Sequence, residues 1–113
     1  MKVRLHGSVA VVTPIDQRSL DADPEALERE LWLQCEAGRS VVIDGSNLRH
    51  LESIAIGILI GLTAKFQRAG RRLIVVMIDK HVQSQIKNTV QTDLSVETAI
   101  ASIERAPQSA ASA

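Results

Sequence analysis

The sequence predicts an α/β domain: a small mixed sheet of four or five strands with four helices mainly on one face, in the order ββαβαβαα. Three observations carry that expectation. Val41-Val42-Ile43 and Leu73-Ile74-Val75-Val76-Met77-Ile78 are continuous apolar runs without alternation, the pattern of parallel strands buried on both faces. Between them, Ser53 to Ala69 is long enough for about four to five turns of helix and ends at Gly70, so that strand, helix and strand make a right-handed βαβ crossover. A length of 113 residues with 45% hydrophobic side chains suits one domain with its own core.

The elements follow in chain order. Val3-Arg4-Leu5 and Val9-Ala10-Val11-Val12 read as a hairpin around His6-Gly7-Ser8, and Pro14 with Asp16 ends the second strand. Asp23-Pro24 marks a helix start, Asp as cap and Pro at a first position whose missing N–H costs nothing. Leu27, Leu31 and Cys35 then recur on one face up to Gly38, a helix of about 14 residues in which Cys35 is a small core hydrophobe. Asp79 is a cap for a third helix carrying Val82, Ile86 and Val90. A short extended piece fits near Gln91 to Leu94, and Ser95 opens a last helix with Val96, Ala99, Ile100 and Ile103 inward. The domain is expected over residues 1–106, with 107–113 a small polar tail that has nothing to bury and is expected to be disordered.

Composition removes several function classes. Thirteen Lys and Arg balance 13 Asp and Glu, which argues against direct DNA binding or an acidic membrane surface. Trp32 and Phe66 are the sole aromatic residues, too few for base stacking. The apolar run Ile54 to Ala64 is 11 residues, whereas a membrane span needs about 20. The first twelve residues lack the apolar core of a signal peptide, and one cysteine cannot form an internal disulfide, so a cytoplasmic home is expected. No nucleophile elbow, phosphate loop or dinucleotide fingerprint is present, so no enzyme activity and no cofactor are expected. His6, His50, His81 and Cys35 are too scattered for a local metal motif, and no metal site is expected. Gly57 and Gly61 on the second helix allow the close approach of a neighbouring element, or weak self-association.

Val41 to Leu62 is the informative stretch: a buried strand ending in Asp44, a polar loop, then Glu52-Ser53 opening a strongly apolar helix. Ser53 is a natural N-cap, and Glu52 places negative charge at the positive end of the helix dipole. This region resembles the STAS domain family of bacterial anti-sigma factor antagonists, over about Val3 to Ile103. Val41 to Asp44 matches the family's strand and Ser46-Asn47-Leu48 its loop. Glu52-Ser53-Ile54-Ala55-Ile56-Gly57 stands where the family carries Asp-Ser-Ser-Gly-Leu-Gly. Glu52 thus replaces Asp, Ile54 the second Ser and Ala55 a Gly. Gly70 with Leu73 to Ile78, and Glu97-Thr98-Ala99-Ile100, match later pieces.

The resemblance implies a non-enzymatic partner switch. The unmodified antagonist binds an anti-sigma factor that is also a serine kinase, the kinase phosphorylates the signature serine, the complex separates, and a serine phosphatase resets it. By alignment that serine is Ser53. The docking surface would comprise Ser46, Asn47, Leu48, Arg49, His50, Glu52, Ser53 and Ile54, with Leu48 and Ile54 as exposed apolar contacts and Arg49 on the rim. An alternative role is a STAS subunit of a larger assembly, a stressosome-like scaffold or a transporter accessory component. Some family members are reported to interact with nucleotides, a third class that no phosphate loop supports here.

Overall fold

A computed structural model describes the backbone of residues 1–105 except Ile15, Ile78, Asp79 and 87–89; of His81, Val82 and Gln85 it describes the backbone alone. The expectations for Asp79 as a cap, for Val82 facing inward and for the tail 107–113 lie outside the described residues.

The elements are β1 (Lys2–His6), β2 (Val9–Thr13), α1 (Gln17–Ala22), α2 (Pro24–Glu36), β3 (Ser40–Asp44), α3 (Ser53–Arg68), β4 (Leu73–Val76), α4 (Lys80–Ile86), β5 (Gln91–Asp93) and α5 (Val96–Arg105). They form one mixed sheet in the order β1-β2-β3-β4-β5. β1 pairs antiparallel with β2, and the remaining pairs are parallel. The four helices expected from the sequence are all present, and the extended piece near Gln91 is the edge strand β5. The short α1 is an addition. Asp16 caps it, its carboxylate accepting from the Ser19 N–H at 2.7 Å, and Leu20 anchors it in the core.

The run of apolar residues without alternation has the cause assigned to it. Ala10, Val12, Val41, Ile43, Leu73 and Val75 face the layer of α1 to α4, meeting Leu20, Leu27, Leu31, Leu59, Leu62, Phe66 and Ile86. Val9, Val11, Val42, Ile74 and Val76 face the other way onto Ala99, Ile100 and Ile103 of α5. Sheet positions alternate between two cores, so both parities must be apolar. Cys35 packs half-buried against the larger core.

α2 and α3 both stop at a glycine. Gly38 and Gly70 have φ of 81° and 72°, and each lets the next residue's N–H turn back to a carbonyl of the last turn: Arg39 to Gln34 at 3.1 Å, Arg71 to Phe66 at 2.8 Å. Three local expectations are corrected. Asp23 precedes α2 without a side-chain cap bond and pairs with Arg29 at 3.3 Å. From its apolar sequence α3 is expected to bury Ile56, Leu59, Ile60 and Phe66 at least in part, and of these Ile60 sits on the outer side at 41% exposure. Gly57 and Gly61 are exposed, and a methyl group on either would meet open space, so they admit no close neighbour within the chain.

Candidate functional site

The site is built where β3 ends. Asp44 turns its carboxylate onto the next loop, accepting from the Ser46 hydroxyl at 2.7 Å and the Ser46 N–H at 3.2 Å. Gly45 lies against β4: its N–H donates to the Val76 carbonyl at 2.8 Å, and a Cβ there would overlap the Met77 sulfur. The Leu48 N–H returns to the Gly45 carbonyl at 2.9 Å, closing a tight turn. Asn47 donates its side-chain amide to the Pro14 carbonyl at 2.9 Å, which ties the turn to the end of β2.

From that turn Leu48 and Leu51 point into the core, 6% and 5% exposed. The expectation that Leu48 is an exposed contact residue is therefore corrected. A loop that must cross the mouth of an α/β core is held down by apolar pegs, and Leu48 is one of them. Leu51 is the second, at a loop position where no periodicity marks an inward face. Ile54 is 62% exposed, as expected. Ser46, Asn47, Arg49, His50, Glu52 and Ser53 are all on the surface.

The unexpected α1 shapes the rest of the loop. Gln17 spends both ends of its amide there. Its oxygen accepts the N–H of Arg49 at 2.9 Å and of His50 at 3.1 Å, and its nitrogen donates to Asp21 Oδ1 at 2.9 Å. His50 Nε2 in turn lies 3.1 Å from Glu52 Oε1 and 3.6 Å from Asp21 Oδ2. An open cleft of about 390 Å³ separates α1 from α3, with Leu20, Asp21 and Pro24 on one wall and Glu52, Ser53 and Ile54 on the other. The signal for α1 was in the chain, an Asp three places before a Ser with Leu20 next, but six residues hold too few turns for periodicity to speak.

α3 begins one residue away from the expected cap. Glu52 is the N-cap by backbone, extended at φ −69° and ψ 157°, with its carbonyl accepting the Ile56 N–H at 3.0 Å and no side-chain cap bond. Ser53 is the first helical residue. Its side chain makes no hydrogen bond among the described residues, so the hydroxyl stands at the surface beside N–H groups of the first turn that have no helical acceptor. An anion at this place meets the positive end of a 16-residue helix. At the start of α1 the Asp16 carboxyl is held below its ordinary value by the Ser19 hydrogen bonds, first of all the backbone one, with a smaller contribution from Arg18.

Among the described residues no helix is long and apolar enough to cross a membrane. No curated protein matches the chain in sequence. Solved structures do match in fold. A variant of RsbS from Moorella thermoacetica superposes with a TM-score of 0.76 at 18% identity, covering 91% of this chain and 93% of its own. An anti-sigma factor antagonist from Mycobacterium paratuberculosis gives 0.73 at 21% identity, covering 91% and 92%. A chain of the stressosome, described as a signal integration and transduction hub, gives 0.71 at 19% identity, covering 91% and 96%. The STAS domain family model matches residues 2–106, and over that span, with its mixed five-stranded sheet and helical layers, this chain belongs to the STAS domain family.

Proposed function

We propose that this STAS domain is an anti-sigma factor antagonist controlled by phosphorylation of Ser53. The unphosphorylated form binds an anti-sigma factor with serine kinase activity, the phosphorylated form does not, and a serine phosphatase restores binding. The observation that carries this reading is the position of Ser53: an exposed hydroxyl on the first residue of α3, without a hydrogen bond among the described residues, beside exposed Ile54 and the cleft. The docking surface is Ser46, Asn47, Arg49, His50, Glu52, Ser53 and Ile54, with Leu48 acting from beneath as a support.

Phosphate brings about −1.5 to −2 charge at pH 7. The helix N-terminus tolerates it in the free protein, so the fold survives. In a docked, partly apolar interface the same charge must lose water beside Glu52. Like-charge juxtaposition costs several kcal/mol, and about 1.4 kcal/mol is tenfold in affinity. A loss of about 100-fold therefore lies within reach of one phosphate.

The test compares wild type, Ser53→Ala and Ser53→Asp against the kinase-type partner, identified from the gene neighbourhood, by calorimetric titration. Because the Ser53 side chain makes no cap bond, Ser53→Ala should leave stability within about 0.5 kcal/mol and keep binding. Ser53→Asp should gain about 0.3–1 kcal/mol from the helix dipole yet bind at least about tenfold more weakly. Equal dissociation constants for all three, with no phosphate on Ser53 after incubation with kinase and ATP, refute the switch.

A second reading, a subunit of a larger assembly, draws on the likeness to the stressosome chain and on β1. β1 is an exposed edge strand with Val3 and Leu5 at 39% and 54% exposure. A solution mass well above 12.3 kDa at micromolar concentration favours it, and a monomer counts against it.

A further inference from the structure

We propose that Asp21, His50 and Glu52 bind a divalent transition-metal cation of the zinc type at the mouth of the α1–α3 cleft. The three residues come from three different segments: the last turns of α1, the loop, and the N-cap of α3. Each offers one ligand atom, and these atoms lie within 4.8 Å of one another. A tetrahedral zinc ion with ligands at about 2.0–2.1 Å separates its donors by about 3.3–3.5 Å. His50 Nε2 already stands 3.1 Å from Glu52 Oε1 and 3.6 Å from Asp21 Oδ2. The two carboxylate oxygens lie within the same 4.8 Å limit of each other, and both belong to surface side chains.

The donors are also held from behind, as metal ligands usually are. Gln17 binds Asp21 Oδ1 and leaves Oδ2 turned to the imidazole. The same side chain accepts the backbone N–H of His50, which fixes where the ring starts. One glutamine on α1 therefore orients two of the three ligands. Two carboxylates bring −2 to a divalent cation, and one imidazole nitrogen selects borderline metals over magnesium, which prefers an all-oxygen shell and keeps its waters. With three protein ligands, a fourth position faces the cleft and takes water or an oxygen donor. Ser53 is not one of the ligands, and the test of the site needs neither kinase nor partner.

Titration of zinc chloride into the full chain near neutral pH should give one saturable site. His50→Ala and Glu52→Gln should weaken it at least tenfold, and Gln17→Ala by about 10- to 100-fold. His6→Ala and Cys35→Ser, which remove the imidazole near Glu104 and the one thiol, should bind as wild type does. The His50 ring resonances should shift on zinc addition and those of His6 should not. Absence of a saturable site, or wild-type affinity in His50→Ala, overturns the proposal. Equal competition by magnesium chloride overturns it too, since that marks a bare carboxylate pair. His6, His50 and Glu52 lie on the surface and Gln17 and Cys35 are half-buried, and a circular dichroism melt of each variant separates lost ligation from lost fold.

Discussion

Replacing Leu48 and Ile54 one at a time separates what supports the loop from what meets a partner. The two residues are six apart and equally apolar, but Leu48 is 6% exposed within the main core and Ile54 is 62% exposed. Leu48→Ala removes buried methyl groups near the rim of the core, where the loop can partly collapse into the space. The cost should fall in the lower part of the range for buried leucines, about 2–3 kcal/mol. That is a large share of the roughly 5–15 kcal/mol typical of a domain, and at about 4–8 °C per kcal/mol it lowers the melting temperature by on the order of 10 °C. Leu59→Ala, at 1% exposure in the middle of α3, is the deep reference and should cost about 2–5 kcal/mol. Ile54→Ala should change stability by no more than about 0.5 kcal/mol. Its effect should appear as weaker partner binding, since a shape-matched apolar contact is lost. Urea titration followed by far-UV circular dichroism gives the stabilities, and calorimetric titration gives the affinities. A wild-type urea midpoint in Leu48→Ala together with weakened binding would refute the argument and return Leu48 to the docking surface.

Gly45→Ala should destabilise by about 1–3 kcal/mol, because the new methyl overlaps the Met77 sulfur and sits 3.0 Å from the Val76 carbonyl oxygen. Coupled with Met77→Ala in a double-mutant cycle its cost should shrink, and strict additivity would show the overlap to be harmless. At low pH α1 should loosen before the sheet. The Asp16 carboxyl is held below its ordinary 3.8, so its cap contributes above the unfolded value and is lost as pH falls through the lower folded one. Following the Ser19 amide resonance against pH checks this: a midpoint at or above 3.8, or the same titration in Asp16→Asn, would remove Asp16 as its cause.

The strands and the long helices are local facts, and the sequence carries them. β3 and β4 are runs of Val, Ile and Leu with both parities apolar, a requirement set by two cores and visible without knowing either. α3 and α5 run for 16 and 10 residues, long enough for their periodicity to mark the inward face, and the glycine stops of α2 and α3 are chemical punctuation. The place of Ser53 at the start of α3 was legible on the same terms. Its role at that start was not, because whether Glu52 or Ser53 supplies the cap turns on a single backbone torsion that composition does not encode.

Tertiary packing decided the rest. The burial of Leu48 and Leu51 depends on what lies under the loop, and a loop has no period from which to read a face. α1 is too short to announce itself, and it exists because Asp16 caps it and Leu20 finds the core. With α1 in place, Gln17 reaches Arg49 and His50, and Asp21 reaches His50 beside Glu52. Those contacts join residues about thirty positions apart, which is why ligand spacing read along the chain showed only scattered histidines.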